Sequence, residues 1–138
     1  MTEVERVADS SAANADVVRR AYEAVDRGAG SELAALIAEG AVWRVPGRSP
    51  VAGEYRGRGA VLEFLSRLRE RSEGTLRVTL IDLAASERHC VALQRVTAAR
   101  GGRALDADMC VVYSIGDGLL ADATYYVFDQ HAYDEFWS

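Results

Sequence analysis

The sequence of 138 residues is poor in the residue types that build metal sites and covalent frameworks. It contains two cysteines and two histidines, and neither type recurs at the short spacing of a metal-ligand motif. A glycine-rich phosphate-binding loop is also missing. We therefore expect a protein that uses neither a metal nor an organic cofactor. Cys90 and Cys110 both fall in predicted strands, where buried thiols are usual in a reducing compartment, and this favours the cytoplasm.

The sequence also lacks long apolar runs and an excess of basic charge. No run approaches the roughly 20 apolar residues of a membrane-spanning helix, and residues 1–14 lack the apolar centre of a signal peptide. Sixteen basic residues stand against 21 acidic ones, for a net charge of −5. No basic face is evident. We therefore expect neither nucleic-acid nor membrane partners, and the length suits one domain with a real core.

Glycine turns divide the last third of the chain into long strands. Gly101-Gly102 separates the apolar-rich runs 90–99 and 104–115, and the segment Gly116–Gly118 separates the second run from a third, 119–128. Short glycine loops favour hairpins because the turn requires positive φ. The pattern predicts a three-stranded antiparallel meander with two apolar faces. Helices can cover one face, and a second subunit or a pocket can take the other.

The upstream residues predict helices and short strands. Apolar residues at helical or extended spacing indicate helices over 12–27, from Ser31 to about Gly40 and over 60–72, and strands over 41–45 and 76–85. Residues 1–13 are expected to form a frayed tail, and the chain is expected to close with a helical turn over 132–137. Residues 14–138 would then form a single domain.

Two segments resemble a known family. The run Trp43–Gly57, WRVPGRSPVAGEYRG, is similar to the first-strand and loop signature of small SnoaL-like proteins, and Asp129–Trp137, DQHAYDEFW, is similar to their C-terminal segment. SnoaL-like proteins are related to polyketide cyclases and belong to the nuclear transport factor 2-like superfamily. The resemblance implies an α+β cone, in which a curved, mostly antiparallel sheet wraps around a pocket and is closed by three helices. It also implies a homodimer formed through the sheet.

Two relatives have catalytic residues that this sequence lacks. Ketosteroid isomerases use a tyrosine and two aspartates at places that correspond here to Ala21, Val45 and Val111 (or Cys110). SnoaL itself pairs an aspartate with a histidine, and those places correspond to Tyr125 and Val111. Neither acid–base mechanism is therefore expected in this chain.

A third relative, the limonene-epoxide type of hydrolase, holds water between two carboxylates that an arginine bridges. Arg95 matches the arginine, but Thr97 and Tyr125 stand where the carboxylates belong. Without a carboxylate to take its proton, the water is not activated. Other acids could serve only if a β-bulge shifted them to the pocket face; they are Asp108, Asp122 and Asp129.

Strand alternation predicts which side chains face the pocket. The expected lining consists of Trp43, Val45, Leu93, Arg95, Thr97, Met109, Val111, Tyr113 and Tyr125, with Tyr55 on a loop above it. This lining is aromatic and apolar with one cation and several hydroxyls. It suits a flat hydrophobic molecule that carries phenol, enol or carbonyl oxygens.

These residues lead to a functional hypothesis. We expect a cyclase or isomerase of specialised metabolism that acts on a polyketide-like intermediate by positioning it. Arg95 would stabilise a developing enolate, and Tyr125 or Tyr126 would be the proton donor or base. His131, close to the expected cone mouth, is a further catalytic candidate.

Other interpretations of the same residues remain open. Arg95 can pair with Asp106 or Asp108, the tyrosines can pack in the core or a dimer face, and Asp129 is expected to cap the last helix. The alternative function is a noncatalytic small-molecule-binding or dimerisation module, and epoxide hydrolysis ranks lower. Enzyme and binding module are distinguished by whether Arg95, Tyr125 and Trp43 line one cavity.

Overall fold

In the computed structural model, which describes residues 2–138, four helices pack on one six-stranded sheet. The helices are α1 Glu3–Arg27, α2 Gly30–Ala35, α3 Arg58–Arg71 and α4 Gln130–Trp137; the strands are β1 Ile37–Val45, β2 Gly53–Arg56, β3 Arg77–Ala85, β4 His89–Arg100, β5 Arg103–Gly116 and β6 Leu119–Val127. The strand order is β2-β1-β6-β5-β4-β3. Only the β1–β6 pair is parallel among these strands. This open, curved sheet with helices on its inner face is the α+β architecture that the sequence predicts.

The two glycine turns form the hairpins of the predicted meander. Gly101 and Gly102 have φ of 53° and 79°, and Asp117 and Gly118 have φ of 52° and 74°. Two consecutive residues with positive φ match the twist of the flanking strands, and glycine adopts this conformation without a steric penalty. The turns therefore fix the long register of β4 on β5 and of β5 on β6.

Helix α4 closes one end of the molecule. Its aromatic side chains Tyr133, Phe136 and Trp137 are buried in the core. Asp129 accepts a hydrogen bond of 3.1 Å from the backbone N–H of Ala132, so the predicted helix cap is confirmed. At the other end of α4, the carbonyl oxygens of Phe136 and Glu135 accept hydrogen bonds from the β4–β5 hairpin arginines Arg100 and Arg103.

The N-terminal region is more ordered than the sequence predicts. Helix α1 begins at Glu3 instead of residue 12, so the predicted tail is helical over residues 3–13; residue 1 lies outside the described residues. Thr2 and Glu5 form a reciprocal capping box, which stabilises the first turn of this segment. Most side chains of this first part of α1 are exposed, and it contributes little to the core.

Two further boundaries differ from the prediction. The second helix ends at Ala35, and β1 begins at Ile37. The Ile37 side chain is fully buried in the core. The predicted loop after β1 contains the short edge strand β2, which pairs Trp43 with Tyr55.

Within residues 2–138, no helix is long and apolar enough to cross a membrane.

Candidate ligand-binding site

A cavity of about 370 Å³ lies between the inner face of the sheet and helices α1, α2 and α3. Its wall is mainly apolar, with α1 contributing Ala21 and Val25 and α3 contributing Leu62 and Leu65. Helix α4 contributes Tyr133. The cavity therefore lies where the resemblance to SnoaL-like proteins predicts a pocket, inside the curved sheet.

A chain of three polar side chains crosses the inner wall of this cavity. The Tyr22 hydroxyl on α1 donates a short hydrogen bond to Oε1 of Gln94 on β4. The hydroxyl oxygens of Tyr22 and Tyr113, the latter on β5, are 2.9 Å apart and share a second hydrogen bond. Gln94 is only 4% exposed, and its Nε2 makes no hydrogen bond to any residue in the range 2–138. An amide donor is therefore left free at the cavity wall.

A second polar pair connects the neighbouring strands β1 and β6. Trp43 Nε1 donates a hydrogen bond of 3.2 Å to the Tyr125 hydroxyl oxygen, and both side chains line the cavity. Within the described chain, the hydroxyl proton of Tyr125 has no protein acceptor. The site thus presents two unpaired donors, Gln94 Nε2 and Tyr125 Oη, in a largely apolar surrounding.

Burial keeps these hydroxyls protonated. It raises the pKa of Tyr125 to about 12, although the hydrogen bond from Trp43 partly opposes the shift. The pKa values of Tyr22, Tyr113 and Tyr133 are also raised, in each case mainly because burial disfavours the phenolate. At neutral pH these tyrosines act as hydrogen-bond donors and not as bases.

The exposed residues of the cavity lining include residues at the junction of α1 and α2 and on α3. Gly28, Gly30, Ser66 and Arg69 line the cavity there and are exposed. Arg69 donates a hydrogen bond of 2.5 Å to the Val25 carbonyl oxygen. In the described part of the chain, Arg69 is the one charged residue of the lining, and neither a carboxylate nor an imidazole contributes to it.

Six of the predicted lining residues point to the inner face of the sheet. Trp43, Tyr113 and Tyr125 line the cavity itself. Val45, Met109 and Val111 are buried on the same face but are packed within the core beside the cavity. The predicted orientations of β1, β5 and β6 are therefore confirmed.

The predicted orientation of β4 is wrong. Leu93, Arg95 and Thr97 lie on the outer face, because the register of β4 on β5 places Gln94 opposite the inward-facing Met109. Arg95 makes two hydrogen bonds to the Asp106 carboxylate, at 2.7 and 2.5 Å, and its side chain is 53% exposed. These hydrogen bonds hold the pKa of Asp106 below its usual value. The alternative interpretation of Arg95, a pair with Asp106, is confirmed.

Three further candidates lie away from the cavity. Tyr126 is on the outer face and 56% exposed, and His131 is exposed on α4 beside Glu135. Tyr55 packs against Phe64 and donates its hydroxyl proton to the Val51 carbonyl oxygen at 2.6 Å, so it braces the β1–β2 loop instead of covering a ligand.

The acids considered for epoxide hydrolysis are likewise outside the cavity. Asp122 accepts hydrogen bonds from Arg44 and Ser114 on the outer face, and Asp108 shares that face. Asp129 caps α4. No β-bulge turns Asp108 or Asp122 towards the cavity, so both acids stay on the outer face, as strand alternation predicts.

Two site residues were missed by the sequence analysis, Tyr22 and Gln94. Tyr22 follows Ala21 and lies four residues after Val18, at the border of the apolar stripe of α1, which is the available sequence signal. Gln94 is a single polar residue between the small inward-facing residues Ala92 and Val96. A polar side chain in such a row is a site candidate because a buried amide requires partners.

The chain is similar in sequence to known proteins. The family model described as SnoaL-like domain matches residues 18–123. The uncharacterized protein Rv0034 of Mycobacterium tuberculosis (strain H37Rv) is 31% identical over 127 residues, which are 91% of this chain and 97% of that protein.

Two solved structures share the architecture. Bal32a, from a soil-derived mobile gene cassette, has a TM-score of 0.91 and 35% identity and covers 94% of this chain and 99% of its own. A nuclear transport factor 2-like protein from Burkholderia xenovorans LB400 has a TM-score of 0.80 at 20% identity, with coverages of 93% and 98%, and shows the likeness in fold alone. The chain, with its nuclear transport factor 2-like fold, belongs to the SnoaL-like domain family.

Proposed function

We propose that the cavity binds a hydrophobic small molecule that carries carbonyl oxygens, and that the protein acts on it as a cofactor-independent cyclase or isomerase. The observation that carries this proposal is the pair of unpaired donors, Gln94 Nε2 and Tyr125 Oη, in an apolar wall. A ligand oxygen in the cavity can accept a hydrogen bond from each of these donors.

The size and walls of the cavity support the same ligand class. A volume of about 370 Å³ lies within the range of small-molecule pockets, roughly 300–1,000 Å³. Trp43 and Tyr113 pack edge to face at 6.1 Å between ring centroids, and together with Tyr125 they offer aromatic surface to a flat ring system. Polyketide-like intermediates combine such rings with carbonyl groups.

The proposed chemistry follows from a cavity lining that, in residues 2–138, offers hydrogen-bond donors but neither a carboxylate nor an imidazole as a base. Tyr125 and Gln94 can donate hydrogen bonds to a carbonyl oxygen and stabilise negative charge that develops on it in the transition state. The cavity lining in residues 2–138 offers no carboxylate or imidazole to abstract a proton. We therefore propose that the protein folds a substrate that is already reactive and polarises its carbonyl group, which accelerates an intramolecular ring closure or an isomerisation. Arg95 has no part in this mechanism.

The experiment begins with a thermal-shift screen of aromatic ketones and quinones, steroid enones, terpenoid ketones and polyether epoxides. A ligand at about one hundred times its dissociation constant stabilises the fold by roughly 2.7 kcal/mol, or on the order of 10 °C for this chain length. We expect shifts with the carbonyl compounds, reduced in Tyr125→Phe and Gln94→Leu and unchanged in Tyr126→Phe. An absence of shifts with every carbonyl class would contradict the proposal.

A noncatalytic binding module is the second candidate, because the same two donors would also hold a ligand that undergoes no reaction. Each ligand that binds should be incubated with the protein and analysed by mass spectrometry and NMR. Rearranged or cyclised product that depends on Tyr125 would support the enzyme. A ligand that is recovered unchanged, with its affinity still dependent on Tyr125, would support the binding module.

We also propose that a second copy of the chain covers the outer face of the sheet, as the predicted homodimer requires. Val91 and Tyr126 on that face are 39% and 56% exposed, and Phe128 at the end of β6 is 65% exposed. The ion pairs Arg95–Asp106 and Arg44–Asp122 place charges of both signs on the same face. A twofold axis pairs such a surface with itself, apolar residues against apolar residues and opposite charges against each other.

A further inference from the structure

Helix α4 brings a further hydroxyl group to the cavity, that of Tyr133. This side chain lines the cavity and is 2% exposed, so it is shielded from bulk solvent. The side-chain hydrogen bonds of α4 to other parts of the fold are made by Gln130 and Asp134. The Tyr133 hydroxyl makes no hydrogen bond to any residue in the range 2–138. Its proton therefore has no acceptor in the described chain.

The indole of Trp137, the closest aromatic partner of Tyr133 on α4, cannot take this proton. The two rings pack edge to face with their centroids 6.2 Å apart. Burial raises the pKa of Tyr133 and Tyr125 raises it further, whereas the Trp137 N–H opposes the shift. Trp137 Nε1 is buried without a hydrogen-bond partner among the described residues, and an indole nitrogen only donates. The indole therefore offers the hydroxyl a donor and no acceptor.

Two other neighbours of the hydroxyl, Asp134 and Tyr55, form hydrogen bonds elsewhere. Both raise the pKa of Tyr133, after burial and Tyr125. The Asp134 carboxylate accepts from the Gln130 side chain at 2.9 Å and from the Arg48 backbone N–H at 3.2 Å. The Tyr55 proton goes to a loop carbonyl oxygen at 2.6 Å. Both side chains hold the β1–β2 loop, and neither bonds to the Tyr133 hydroxyl.

We propose that Tyr133 is a further ligand-binding residue, whose hydroxyl donates a hydrogen bond to a ligand oxygen beside Tyr125. This inference rests on the proposed function, since it concerns the same cavity. The two phenols are neighbours in the cavity wall, one from β6 and one from α4, and they form no hydrogen bond to each other. Both protons are therefore available to the ligand, and a diketone or quinone has enough oxygen acceptors for them.

The stability of the ligand-free chain separates this role from a structural one. Tyr133→Phe keeps the buried ring and its contact with Trp137 and removes only a hydroxyl that bonds to nothing in the described protein. We expect its urea midpoint to equal or exceed that of wild type, whereas Tyr125→Phe should be lowered because Trp43 loses its acceptor. A clear loss of stability in Tyr133→Phe would show that the hydroxyl serves the fold and would overturn the inference.

The affinity for a diketone tests the role itself. The probe is 2,2-dimethyl-1,3-indandione, a flat bicyclic diketone without an enolisable proton, which can meet both phenols whether they converge on one oxygen or on two. Calorimetry on the full chain gives its dissociation constant. We expect Tyr133→Phe to weaken binding by about five-fold or more, the loss of one hydrogen bond to a ligand oxygen. Tyr126→Phe, which removes an exposed hydroxyl outside the cavity, should bind as wild type does.

The outcomes distinguish this inference from the proposed function. Affinity that falls in Tyr125→Phe but stays at the wild-type value in Tyr133→Phe would overturn the role of Tyr133 and leave the carbonyl site standing. A wild-type chain that binds neither the diketone nor any carbonyl compound of the thermal-shift screen would contradict the proposed function, and the inference with it. A stable Tyr133→Phe chain with weakened binding supports both.

Discussion

Trp43 Nε1 donates a 3.2 Å hydrogen bond to the Tyr125 hydroxyl oxygen inside the cavity wall, where the two side chains are 3% and 7% exposed. The parallel pairing of β1 with β6, in which Trp43 lies beside Ala123, brings these two residues together although they are 82 positions apart in the chain. The bond satisfies the indole and orients the hydroxyl group. Within residues 2–138, the hydroxyl proton of Tyr125 is left without a protein acceptor.

Replacing Tyr125 with Phe should lower the free energy of unfolding by about 1–3 kcal/mol, because it leaves the buried Trp43 Nε1 without an acceptor. The double variant Trp43→Phe/Tyr125→Phe removes both partners and should be less destabilised than the sum of the two single changes. Urea denaturation of the four proteins gives the coupling energy. Additive effects, within about 0.3–0.5 kcal/mol, would show that this hydrogen bond contributes nothing.

The buried tyrosines should make the fold sensitive to alkaline pH. Burial raises the pKa of Tyr125 from 10 to about 12, and it also raises those of Tyr22, Tyr113 and Tyr133. Between pH 10 and 12 the unfolded chain loses these protons while the folded chain keeps them. The stability that is fully present below pH 10 is therefore lost as pH rises through this window.

Each such tyrosine should contribute a slope of about 1.4 kcal/mol per pH unit. All sixteen basic side chains are arginine, so no lysine titrates in the same window. We expect Tyr125→Phe to reduce the slope by about one such increment. Denaturant unfolding at pH 9, 10, 11 and 12 measures the slope in both proteins, and equal slopes in the wild-type chain and the variant would contradict the account.

The order of helices and strands could be predicted from the sequence because glycine turns and apolar spacing mark the elements directly, and the resemblance to SnoaL-like proteins implied the curved sheet around a pocket. Which residues of β4 face the inside of the sheet could not be predicted. Both of its faces carry apolar residues, with Val91 and Leu93 outward and Ala92 and Val96 inward, so hydrophobicity does not choose between the two parities. The choice depends on pairing with β5, where Met109 and Tyr113 are buried. An inward arginine was consequently predicted where the structure has an inward glutamine.

The position of Arg95 leads to a prediction of its own. Because the Arg95 side chain pairs with Asp106 on the outer face, Arg95→Met should leave the affinity for carbonyl ligands and any turnover within two-fold of wild type. Gln94→Leu, one residue away and on the opposite face, should reduce both by ten-fold or more. The same calorimetric titration serves the two variants. A strong loss in Arg95→Met with wild-type behaviour in Gln94→Leu would restore the original prediction and contradict the site described above.

The site residues themselves were only partly predictable. Trp43, Tyr113 and Tyr125 follow from strand alternation and turn positions, which are local properties. The partnership of Tyr22 with Gln94 joins α1 to β4 across 72 residues, and it depends on how far the helix is rotated about its axis on the sheet. A sequence pattern gives the apolar stripe of the helix but leaves the residues at the border of the stripe undecided.

Gly47 should be required for the docking of α4. Its φ is +112°, and a Cβ there would overlap with the side chains of Asp134 and Gln130. Those side chains bind the backbone of the β1–β2 loop, at Arg48 N–H and the Pro46 carbonyl oxygen. Gly47→Ala therefore combines backbone strain with the loss of these contacts and should cost about 1–3 kcal/mol.

Gly40→Ala is the matched control for that change. Gly40 lies in β1 without positive φ, and nothing would come within 4 Å of its Cβ. Thermal unfolding should show a clear loss for Gly47→Ala and a change of less than about 0.5 kcal/mol for Gly40→Ala. Equal stabilities of the two variants would mean that the contact between the β1–β2 loop and α4 is dispensable.

The proposed homodimer predicts a change of mass. Val91→Asp replaces an exposed apolar side chain of the outer face with a charge, and burying that charge against a second copy would be costly. We expect light scattering to give a dimer for the wild-type chain and a monomer for Val91→Asp, with the folded helix and strand content retained in circular dichroism. A wild-type monomer at micromolar concentration would contradict the proposal.

The most direct test of the carbonyl site is the infrared stretch of a bound ketone labelled with ¹³C at its carbonyl group. Two protein donors in an apolar cavity should lower this frequency below its value in an apolar solvent. Tyr125→Phe and Gln94→Leu should each reverse part of the shift, whereas Tyr126→Phe should reverse none. A bound ketone whose frequency matches the apolar solvent, or a protein that binds no ketone, would contradict the account of this cavity as a carbonyl-binding site.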